Sequence, residues 1–148
     1  MKIQLRTLIT DAFPLERGFH NSELLLPGND AECEEEVFTG SQWWDLHTAD
    51  LISRTFILHY FTPTAFCYFL PAYLLASIEI SASGLTDAIM DRVSPPKNDT
   101  SRPSFQEWWG LLSKEQRRSL IETMRYHVKR GNIIDTGACM ALETVLLS

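Results

Sequence analysis

Cysteine is scarce in this chain and poorly placed for cysteine chemistry. Cys33, Cys67 and Cys139 are spread over 148 residues, with no CxxC and no Cys/His cluster. That spacing gives neither a disulfide framework nor a zinc site, and a reducing cytoplasm is the compartment it fits. GxSxG, GxGxxG, the phosphate-loop motif and HExxH are all missing, which removes the motif-borne nucleophiles, nucleotide sites and zinc hydrolases. Sustained apolar/polar alternation with hairpin turns is missing as well, so no sheet is expected. The N-terminal "MKIQLRTLITDAF" carries Arg6 and Asp11 where an apolar region would be needed and lacks a cleavage signature. It does not read as a signal peptide.

A long charge-free run is present, but its apolar part shortens on counting. Thr55 to Ile78 holds 24 residues without Asp, Glu, Lys or Arg. His59 and the Thr62-Pro63-Thr64 helix start interrupt it, leaving the 14 residues from Ala65 to Ile78. A membrane span needs about 20 apolar residues, and no Lys/Arg cluster flanks either end. The segment is expected to be the central helix of a bundle, over 63–80, with Phe66, Phe69, Leu70, Tyr73 and Leu74 at the centre. Pro71 inside it carries no N–H for the carbonyl near Cys67. Tyr68 and Tyr73 read as core tyrosines with their hydroxyls reaching partners or the surface, with a pocket-lining role as the competing reading.

What surrounds this helix is also helical in pattern. A single domain spanning 1–148, all-α with six to eight helices, is the expectation, since 45% hydrophobic and 22% charged residues suit a packed core. The opening helix should bury Ile3, Leu5, Leu8, Ile9, Ala12 and Phe13 and stop before Pro14. Asp30 is placed to cap a helix through "AECEEEVF", ended by Gly40, and Ser41 to cap the next, running to about Tyr60. Thr62-Pro63 is a cap followed by proline at the first helical position. Ser83-Gly84 is a break before "LTDAIMDRV", and 94–104 is a Pro-rich surface loop. Ser104 with Glu107, and Ser113 with Gln116, each form a capping box. The second opens a helix with Leu120, Ile121, Met124 and Val128 on one face and Gly131 as its left-handed stop. "TGACMALETVLL" supplies a final short helix. "QWWDL" and "EWWGL" echo each other as aromatic covers of the core near helix starts, too short a match for a repeat.

Charge is the most informative feature. No Lys or Arg occurs from Phe19 to Ser53, yet eight acids do, while Lys114–Arg130 carries six bases against Glu115 and Glu122. Either the acidic stretch faces the basic helix, or it stands exposed and steers a basic partner. The second reading makes Glu32, Glu34, Glu35, Glu36, Asp45 and Asp50 the candidate partner-binding residues. Net charge is −6, so neither nucleic acid nor a membrane is an expected partner. Asp45, His47 and Asp50, with His59 further along the same expected helix and Glu34 or Glu35 nearby, are the best acid–base or metal candidates. They lack the ligand spacing and orienting partners of known sites, so no catalytic residue, metal or cofactor is assigned. His20 and His127 stand alone in sequence, and the cysteines read as inert.

The elements "WWDL" at 43–46, "TPTAFCYFLPAYLL" at 62–75 and "LSKEQRRSLI" at 112–121 resemble a family of small bacterial helical proteins. Its members carry an acidic "CE" segment, a tryptophan, an AFxYxLPAYL core and an "LsxeQ" helix. The likeness covers about two thirds of the chain, and the AFxYxLPAYL core is its most specific part. It implies a helical fold but brings no catalytic residues with it. More loosely, the chain is similar to the small acidic immunity proteins that neutralise toxins. The leading expectation is thus a cytoplasmic, non-enzymatic binding module of immunity or antitoxin type with a basic partner, such as a nuclease toxin. A small enzyme using His47 and the subunit of a homo-oligomer remain the alternatives.

Overall fold

The structure is a computed structural model that describes residues 2–15, 24–26, 37–80, 83–95, 102–131 and 137–147. Among them are seven α-helices: α1 (Lys2–Ala12), α2 (Thr48–Ile52), α3 (Pro63–Glu79), α4 (Ser83–Val93), α5 (Arg102–Trp109), α6 (Lys114–Lys129) and α7 (Gly137–Leu147). The fold is all-α, as the periodicity predicts. The only extended pairing among the described residues is a single antiparallel bridge between Leu25 and Phe61.

Helix α3 is the hub, and its start is written locally. Thr62 is extended, its hydroxyl accepts from the Ala65 N–H at 3.3 Å, and Pro63 occupies the first turn. The helix runs through Pro71 and buries Ala65, Phe66, Phe69 to Leu74 and Ala76 to Ile78. A helix apolar on most of its circumference must be surrounded, and α3 touches α1, α2, α4, α5 and α6. No helix among the described residues is long and apolar enough to cross a membrane.

Aromatic rings and one cation fasten the neighbours to this hub. Phe69 lies 5.1 Å from Phe38 and 5.4 Å from Phe61, and Phe66 meets Trp108 of α5 at 5.1 Å. Arg92 of α4 lays its guanidinium 4.1 Å from the Phe66 ring centre and donates Nε–H to the Leu58 carbonyl at 2.8 Å. One side chain thereby joins α4, α3 and the turn before α3.

The capping box of α6 forms as expected. The Ser113 hydroxyl accepts from the Gln116 N–H at 3.1 Å, and the Gln116 side chain accepts from the Ser113 N–H at 2.9 Å. Gln116 also donates Nε2–H to the Ala12 carbonyl at 3.2 Å, tying the end of α1 to the start of α6. Ser113→Ala should therefore lower stability by about 1 kcal/mol, and Gln116→Ala by about 1–2 kcal/mol because two contacts go. Urea melts giving equal losses would refute the tie to α1. The helix ends at Gly131, whose φ of +74° is left-handed.

Several boundaries differ from the sequence expectation. The helix predicted from Ser41 to Tyr60 is broken into a 3₁₀ turn at Trp43–Asp45, the short α2, and a 3₁₀ turn at Thr55–His59. Ser41 caps nothing, and its hydroxyl donates to the Val37 carbonyl at 2.7 Å. The segment holds Thr48, Ser53 and Thr55, whose side chains compete for the backbone; Ser53 bonds the Asp50 carbonyl. Ser104 is not a cap, because α5 already begins at Arg102, which also shortens the 94–104 loop. Ser83 and Gly84 open α4 rather than break the chain. Ile3 is 77% exposed, leaving Leu5, Ile9 and Phe13 as the buried side of the first segment. The helix expected through "AECEEEVF" lies outside the described residues up to Glu36, while Gly40 does turn left-handed at φ +69°.

Candidate functional site

Of the six acids singled out by charge, Glu32, Glu34, Glu35 and Glu36 lie outside the described residues. Asp45 ends the first 3₁₀ turn and is exposed. Asp50 sits in α2, where its carboxylate accepts from Arg54 at 3.3 Å. Neither reaches the basic helix. Three of the six cations at 114–130 have other uses: Arg125 pairs with Glu122 and, at 2.8 Å, with Glu143 of α7. Arg117 stacks on Trp109 at 4.9 Å and donates to its carbonyl, and Arg130 lies over Tyr126. Among the described residues, then, no ion pair joins the 37–53 segment to α6.

The proposed histidine constellation does not assemble. His47 is the extended residue before α2, and its carbonyl accepts from the Asp50 and Leu51 N–H groups. It therefore cannot share a helix face with Asp50. His59 belongs to a separate 3₁₀ turn and pairs with Asp91 of α4 at 3.1 Å. Among the described residues no three His, Cys, Asp or Glu side chains converge on a common point.

The two adjacent tryptophans behave as opposites. Trp43 is buried; its indole N–H donates to the Pro14 carbonyl at 3.1 Å, and its backbone N–H to the Tyr68 hydroxyl at 3.4 Å. Those bonds pin the turn between the end of the first segment and α3. Trp44 stands edge-on to it at 5.6 Å and is 36% exposed. Beside Trp44 runs a groove of about 540 Å³ between α1, α2 and α3. Leu46, Leu51 and Leu75 line it together with Ala72 and Ala76 of α3, which are themselves buried. An ion pair between Arg6 of α1 and Glu79 of α3 lies at its edge. Asp45 adjoins Trp44 with no ion pair among the described residues.

Reading both tryptophans as core covers, as the sequence suggests, is thus correct for Trp43 alone. The groove has no local signal in the sequence, because its lining comes from α1, α2, α3 and the turn at 43–46.

Four polar side chains elsewhere have the ingredients of chemistry, and their surroundings remove it. His127 Nε2 lies 2.9 Å from Ser77 Oγ. Both are wholly buried, and the Ser77 hydroxyl donates to the Leu74 carbonyl at 2.7 Å, so its oxygen accepts from Nε2–H. A serine that gives its proton to the backbone, sealed from solvent, is a core hydrogen bond. Cys67 donates its thiol to the Trp108 carbonyl at 3.2 Å; burial pushes its pKa up to about 12, against a smaller opposing pull from Arg92. It stays a thiol at neutral pH. Tyr73 donates to the Arg54 carbonyl at 3.3 Å, and burial raises its pKa further from neutrality.

No protein-family model, curated protein or solved structure matches this chain.

Proposed function

We propose that this chain is a protein-binding module that captures a basic protein through its acidic 30–50 face, in the manner of an immunity protein or antitoxin. The observation that carries the reading is the pairing of Trp44 and Asp45. One is an aromatic ring left partly in water beside an apolar groove, and the other, next to it in sequence, is an exposed carboxylate with no ion pair among the described residues. Such neighbours divide the work of association. Acids draw in a cationic partner over roughly a Debye length, about 10 Å at 0.1 M salt, and raise the encounter rate. A desolvated aromatic contact then slows release, since anchors of this kind hold most of the energy of an interface.

The reading fits the sequence around it. Six further acids and no Lys or Arg lie between Phe19 and Trp44, the charge pattern on which the proposal draws. A cytoplasmic setting and a toxin as the basic partner belong to this proposal.

The test is charge reversal. Glu34→Lys, Glu35→Lys and Asp45→Lys combined should abolish retention of the basic partner from an extract of the native cell, while leaving the thermal midpoint within a few degrees. Wild-type retention should also fall at high salt. Retention that survives both the triple reversal and high salt sinks the proposal.

A further inference from the structure

We draw no further inference here: the strongest candidate, the cavity of about 510 Å³ between α6 and α7, carries nothing, because its Lys114, Arg118 and Arg125 are matched in number by Glu115, Glu122 and Glu143, Arg125 is already held by the last two, and nothing in the structure shows what covers it.

Discussion

Replacing Phe69 with alanine is expected to lower stability by about 3–5 kcal/mol. For a chain of this length that is a fall in Tm on the order of 10 °C. Phe69 is wholly buried on the hub helix, and it is where three otherwise separate segments meet. Phe61 stacks on it at 5.4 Å, Phe38 meets it edge-on at 5.1 Å, and Phe38 and Phe61 lie 5.1 Å apart. Alanine removes the shared member of this triangle, and backbones anchored at three points cannot close the hole. Phe56→Ala is the internal comparison: Phe56 is 45% exposed, and its loss should cost about 0.5 kcal/mol or less. Comparable losses for the two variants in thermal or urea melts would contradict this account of the core.

The second large effect is a pH dependence that originates in His127. Burial in the contact between α3 and α6, with a smaller contribution from the Arg130 charge, lowers its pKa from 6.5 to about 4. The folded state thus binds its proton more weakly than the unfolded state does. Stability from this residue is fully present above pH 6.5 and is lost progressively as pH falls from 6.5 to about 4. Across that interval the loss is on the order of 3 kcal/mol, at 1.36 kcal/mol per pH unit. No solvent reaches the ring to screen it. Carboxylates also titrate at the acid end, so the measurement is a difference. Wild type and His127→Gln, which keeps a donor for Ser77 but does not titrate, are melted from pH 7.5 to 4. The wild type should lose more stability, by an amount near that figure. Parallel curves would show that His127 is protonated without penalty in the fold.

These two residues mark where sequence reading succeeds and where it stops. Phe69 lies within the charge-free run and is legible as core, because a fourteen-residue apolar helix with a Thr-Pro start has nowhere to go but inside. His127 carries no such signal. Its neighbours Tyr126 and Val128 fit either a surface or a buried position, and the burial that lowers its pKa, with Ser77 as a partner fifty residues away, comes only with the packed fold. The candidate site divides in the same way. Asp45 was visible through the absence of any nearby base. The groove was not, because α1, α2, α3 and the turn at 43–46 meet only in the fold.

By itself the sequence determined the elements whose signals are local. Thr62-Pro63 sets the start of α3, the Ser113/Gln116 box sets the start of α6, and Gly131 sets its end. Each works through bonds within a few residues, so each could be read before folding, and together with the apolar hub they dictate an all-α chain. Tertiary structure alone decided the rest. It sent Trp43 inward to the Pro14 carbonyl and the Tyr68 hydroxyl, leaving Trp44 outside. Two identical side chains, adjacent in sequence, have the same intrinsic preference for burial. Their fates differ because the partners that settle the choice lie 29 and 25 residues away.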